Sequence, residues 1–168
     1  MRRTILVSIV VLSLAVMIQT SIIARVNLLN GSGDIVLLFL AAWGLQERVR
    51  GAWISGVIAG LLVGLISGNP WYIYLICYMG IVGLARILAH RVWQAPLLAM
   101  FTVTLTGTLV LHLLTYLARS IFELPLDFNL SFVQIILPSV LLNLLLAIPI
   151  HALIHDLANR VFPAQVVT

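Results

Sequence analysis

Six apolar stretches follow one another along the chain, and none of them can be left in water. The first, residues 4–24, carries no charge over its whole length. A helix needs about 20 apolar residues to cross a hydrocarbon core of ~30 Å. The further stretches cover residues 34–46, 51–67, 71–89, 96–117 and 132–153. The second is short: 13 residues reach only about 20 Å as a helix, with Asp34 placed to cap its start. Between the stretches lie turn and charge signals: NLLNGSG at 27–33, Glu47 to Arg50, Gly68-Asn69-Pro70, His90-Arg91, and a polar connection from Arg119 to Leu130. This order predicts an all-α membrane protein of six transmembrane helices, forming one integral domain over residues 1–168.

Composition closes the other routes. Hydrophobic residues make up 62% of the chain and charged residues 8%, whereas a soluble domain sits near half and about a quarter. Mean hydropathy is +1.19. A soluble enzyme, a disordered chain and a disulfide scaffold are excluded. The net charge of +4 comes from arginines scattered at segment ends, not from a basic stripe, so nucleic acid is not a partner; membrane lipid is. Cys77 stands alone and forms neither an internal disulfide nor a metal site.

Six spans put both termini on one side. That side holds Arg2, Arg3, Arg48, Arg50, Arg86, Arg91 and Arg160; the other holds Arg25 and Arg119. The positive-inside rule makes the arginine-rich side cytoplasmic. Met1-Arg2-Arg3 could open a signal peptide, but the apolar run behind it is too long and lacks a small-x-small site, so a retained first span is expected. Trp43, Trp53, Trp71 and Trp93 fall near segment ends, as an interfacial belt requires.

Four features could carry function. In the third stretch Ala52, Gly56, Gly60, Gly64 and Gly68 recur every four residues on one helix face. Such a ridge lets another backbone approach closely, either a neighbouring span or a partner's helix. In the fifth, Thr104, Thr108, His112 and Thr115 share a face that Arg119 continues outward. They are a pocket wall or intersubunit contact, or threonines bonding their own helix turns. His151 and His155 are spaced for a shared metal, but no third ligand is evident and no metal or other cofactor is expected. Asn143 lies between Pro138 and Pro149. Each proline frees a carbonyl that protein or water must satisfy, so the sixth span should be buried in the bundle, with Asn143 bonding between helices or holding a ligand. Asp34, Glu123 and Asp127 are all read as lying at outer span ends. No ionisable residue is evident at mid-membrane, which argues against an ion-coupled transporter. No nucleophile or phosphate-loop motif is present.

The order of features resembles the MreD family, the rod shape-determining membrane proteins of bacteria. The matching parts are GDIVLLFLAAWG from Gly33, the charged turn, the third span ending in GLISGNPW, and PSVLLNLLLAIPIHALIH from Pro138. The likeness covers nearly the whole chain. Family members often carry Pro where this chain has Gly33, and an acid near the end of the third span, where this chain has none; the role of that acid is not carried over. The resemblance implies a non-enzymatic scaffold in the bacterial inner membrane. It would bind an MreC-like single-span protein and act with the peptidoglycan synthase pair and cytoplasmic MreB filaments. Gly56, Gly60, Gly64, Gly68, Asp34 and Asp127 are the candidate partner or packing residues. The family is also similar in fold to the substrate-binding components of energy-coupling-factor transporters, and a vitamin-like ligand is the alternative reading.

Overall fold

The second apolar stretch, the shortest, forms the centre of the molecule. The computed structural model describes residues 2–21, 30–49, 51–91, 95–122 and 127–162; Arg25, Arg50, Trp93 and Glu123 lie outside them. Six helices and no strand are present among the described residues. They are α1 (Arg2–Ser21), α2 (Ile35–Leu45), α3 (Ala52–Ile66), α4 (Trp71–Arg91), α5 (Pro96–Phe122) and α6 (Phe128–Val161). By length and composition α4, α5 and α6 can cross a membrane, while the apolar parts of α1, α2 and α3 are shorter.

Every residue of α2 from Val36 to Gly44 is buried. A helix that is apolar all round belongs in an interior, and α2 packs against each of the other five helices. Around it the outer helices follow in the order α1, α3, α4, α5, α6. Among the described residues α1 and α6 make no close backbone approach.

Eleven residues span only about 16 Å, roughly half of a ~30 Å core. The start of α2 is therefore sunk inside the bundle. This corrects two expectations. Asp34 is not at an outer surface but buried at 8% exposure, so the chain does hold an interior ionisable residue. Trp43 is no belt residue either: it is fully buried, stacked on Phe39 at 5.4 Å and tilted against Phe162 at 6.1 Å. Trp53 and Trp71 are exposed, as belt residues are.

Helix ends also move. α5 runs to Phe122 rather than residue 117, and α6 runs from Phe128 to Val161 rather than from 132 to 153. Residues 119–122 and 128–130 of the polar connection are therefore helical. Hydropathy marks where lipid ends, whereas a helix continues for as long as its backbone ladder is satisfied. α6 begins at Asp127, whose side chain accepts from Asn129 N at 2.9 Å.

At the opposite end, polar contacts gather the basic residues. Arg86 donates to the carbonyls of Gln46 and Val49, Arg48 donates to Asn159 at 2.9 Å, and His90 lies 3.8 Å from Glu47.

Candidate functional site

α6 contains a π-helical turn, Phe132–Ile136, directly before Pro138. Proline has no N–H to donate one turn back. The carbonyl of Gln134 is thereby released, and Asn30 N donates to it at 3.1 Å. The chain entering α2 is laid along this stretch of α6. Ser32 N donates to Ser139 Oγ at 3.0 Å, and Asn30 Nδ2 to Gln134 Oε1 at 3.3 Å. A Cβ on Gly31 would stand 2.6 Å from both Pro138 Cβ and Ser139 N, so only glycine permits this approach.

Asp34 closes the arrangement. Its Oδ1 accepts from Leu37 N at 2.9 Å, capping α2. Its Oδ2 accepts from the hydroxyl of Tyr78 on α4, also at 2.9 Å. Its own N–H donates to Asn143 Oδ1 at 2.7 Å. Asn143 Nδ2 donates to Thr108 Oγ1 on α5 at 3.0 Å. The N-terminal end of α2 also favours the carboxylate through the helix dipole. Four elements thus meet in one buried polar chain, Tyr78–Asp34–Asn143–Thr108. A further donor, Val36 N, is taken by Gln19 Oε1 of α1 at 3.2 Å. Water is absent from a bilayer core, so each of these amides would otherwise be unpaired.

Above this chain lies a cavity of about 590 Å³. Asp34 and Ser32 line it together with Gln19 and Val16 of α1, His112, Thr115 and Arg119 of α5, and Ile135 of α6. The polar stripe of α5 is therefore divided. Thr108 belongs to the buried chain, and His112, Thr115 and Arg119 face the cavity. Thr104 is buried with no partner for its hydroxyl among the described residues. His112 Nδ1 is bonded to the Thr108 carbonyl at 2.9 Å, the local threonine-turn arrangement displaced onto histidine.

The glycine ridge faces α4. A Cβ on Gly60 would lie 2.6 Å from Leu75 Cα, and one on Gly64 would lie 2.9 Å from Trp71 Cα. A Cβ on Gly56 would lie 3.3 Å from Met79 Sδ. Gly68 is not in the ridge: α3 ends at Ile66, and nothing lies within 4 Å of its Cβ position. α4 already fills the face that a partner's helix would need. Asp127 is exposed and takes no part in the buried chain; its carboxylate accepts from Asn129 N. His151 and His155 stack at 6.4 Å on the far part of α6.

A family model for the rod shape-determining protein MreD matches residues 1–161. The chain belongs to the MreD family. Comparison with curated proteins and with solved structures gives no match. MreD proteins are shape-determining membrane proteins, and membership assigns this chain to rod-shape determination. The MreD match spans both halves of the buried chain, Asp34 on one side and Asn143 on the other.

Sequence reasoning missed Tyr78, Gln134, Ser139 and Gln19 as members of this network. Gln19 and Gln134 were detectable: an amide inside an apolar run needs a partner. Tyr78 gave no such signal, because tyrosine is common in apolar helices.

Proposed function

We propose that this chain is a non-enzymatic scaffold of the bacterial cell-elongation machinery, holding an MreC-like single-span protein in the inner membrane. The observation that carries this reading is the MreD family match over residues 1–161. The chain acts as one integral domain of six membrane-embedded helices, similar to the substrate-binding components of energy-coupling-factor transporters. Both termini lie in the cytoplasm, as the arginine distribution supports. MreB filaments then lie on the side of Arg48 and Arg86, and the peptidoglycan synthase pair is reached through the partner on the other side. The ridge of Gly56, Gly60 and Gly64 is occupied by α4, so the partner's span docks elsewhere, on an exposed apolar face such as that of α1 or α6. Close packing drives helix association in lipid. Purification from membranes under mild detergent tests the scaffold: an MreC-like protein should accompany the chain in stoichiometric amount. Its absence from a folded preparation would refute the reading.

A second reading has an observation in its favour. The 590 Å³ cavity has the size of small-molecule sites, which run from about 300 to 1,000 Å³. A ligand-binding subunit would retain a stoichiometric small molecule and need no partner span.

A further inference from the structure

The glycine ridge fixes the register of α3 against α4, and with it the height of two tryptophans. A Cβ on Gly56, Gly60 or Gly64 meets Met79, Leu75 or Trp71 in turn. The two helices therefore run antiparallel and side by side along the whole ridge. Trp71 stands level with Gly64, near one end of α3. Trp53 sits at the other end, where a Cβ on Gly83 would lie 3.0 Å from its Cη2. Both indoles are exposed, at 46% for Trp53 and 51% for Trp71. From Trp53 to Gly64 is eleven residues of α3, about 16 Å of rise; from Trp71 to Gly83 is twelve residues of α4, about 18 Å. The two measures agree, and tilting the hairpin only shortens the distance along the membrane normal.

Tryptophan anchors at headgroup level, one belt at each membrane face, and such belts stand at least about 30 Å apart in an ordinary bilayer. Trp53 and Trp71 mark opposite ends of one crossing, yet little more than half that distance separates them. The exposed surface between them is apolar: Val57 and Leu61 of α3, and Ile76 of α4. Even the whole exposed apolar stretch of α4, from Trp71 to Ile87, rises only about 24 Å before His90 and Arg91. At the other end the turn before Trp71 is polar, and Asn69 there accepts from Arg119 Nε at 3.0 Å. The opposite side of the bundle is long. α5 has 27 residues and α6 has 34, about 40 and 50 Å of helix.

We propose that the α3–α4 face holds the bilayer locally thinned and gathers phospholipid with short acyl chains, while the α5–α6 side meets ordinary thickness. A hydrophobic face shorter than the hydrocarbon is accommodated by thinning of the bilayer beside it, at a modest cost per ångström. Lipids of mixed length then sort around the chain, the shorter ones at the short face. Only a membrane-crossing α4 is required, so either orientation of the termini serves and no partner is needed.

The test labels single cysteines at Leu61 and Leu141 with bimane; Cys77 is buried and does not compete. Both positions are exposed, and the buried chain from Tyr78 to Asn143 sets them at similar depth. Each labelled chain is reconstituted in dierucoyl phosphatidylcholine that is replaced stepwise by dimyristoleoyl phosphatidylcholine brominated at its double bonds. The midpoint of the quenching curve reads local enrichment of the short lipid. At Leu61 the short lipid should be enriched about twofold or more, and at Leu141 it should follow the bulk composition. Equal midpoints at the two positions, or enrichment of the long lipid at Leu61, overturns the proposal. Absence of quenching at Leu61 in fully brominated lipid also overturns it, because another chain then covers the face. Should labelling disturb the fold, the same titration of the Trp93→Phe chain decides: Trp43 is buried, so quenching reports Trp53 and Trp71, and a midpoint at equal mixing overturns the proposal. A negative result with an MreC-like protein still captured leaves the scaffold standing, and loss of the scaffold leaves the thinned face standing.

Discussion

Asn143 accepts the backbone N–H of Asp34 at 2.7 Å across 109 residues of chain. The bond ties the start of the central helix to the last helix, and its other end continues through Thr108. Asn143→Leu should lower stability by about 1–3 kcal/mol, the cost of leaving buried polar groups unpaired. The direct worth of such a bond in a membrane is smaller, about 0.6 kcal/mol on average. A double-mutant cycle with Thr108→Val, read by thermal unfolding in detergent, separates the two contributions. Full additivity would mean the Asn143–Thr108 bond does not form.

Gly60→Leu should disrupt folding, while Leu61→Ala should be tolerated. A first side-chain carbon at Gly60 meets Leu75 Cα at 2.6 Å, so backbone must move; Leu61 is 41% exposed. Overpacking costs ~1–3 kcal/mol in general, and a full leucine against backbone belongs at the upper end. Gly68→Ala serves as the control, since its position faces open space. Yield and melting temperature of the three variants check this. An unaffected Gly60→Leu would contradict the α3–α4 packing.

Topology is tested by labelling. The single native cysteine, Cys77, is buried, so single cysteines can be introduced elsewhere without a competing exposed thiol. A cysteine at Arg91 should be protected from an impermeant thiol reagent in intact cells, and one at Asp127 should react. The reverse pattern would invert the proposed orientation.

Asp127 acts locally. Its carboxylate caps α6 by accepting from Asn129 N. Asp127→Ala should cost about 0.5–2 kcal/mol, and Asp127→Ser should recover most of it. Charge reversal there should weaken capture of an MreC-like protein by less than a bulky change on the contacting helix face, because exposed ion pairs contribute about 0–1 kcal/mol. Melting curves and co-purification yields decide both points.

What the sequence disclosed depended on how local the cause was. The start of α2 was readable because an acid before an apolar run is a local cap signal, and Asp34 does cap it. Pro138 and Asn143 are buried, as a freed carbonyl and a lone amide require, but the sixth span is not enclosed as expected: Pro149 is exposed, as are Leu141, Leu145 and Ile148, because α6 is an outer helix with one face to the bundle. The partners were not readable. Nothing in the run around Tyr78 says that it meets Asp34, 44 positions away. Trp43 misled because the belt rule assumes that a segment end reaches the bilayer surface, and an 11-residue helix does not. The cavity was legible in part: the polar face of α5 read as a possible pocket wall, and His112, Thr115 and Arg119 do line it, whereas Gln19, Asn30, Ser32 and Ser131 reach it from distant parts of the chain.

The Gln134 carbonyl that Pro138 leaves to Asn30 has a consequence for how the chain is made. The two residues are 104 positions apart, so the segment entering α2 leaves the ribosome long before its acceptor exists. Until α6 arrives, the amides of residues 30–34 have no place in lipid and must be kept wet or held by insertion factors. A nascent chain stopped at residue 122 should leave a cysteine at position 36 open to labelling that the full chain protects. The helix made second is then the one that settles last, and biogenesis waits on the carboxyl-terminal hairpin.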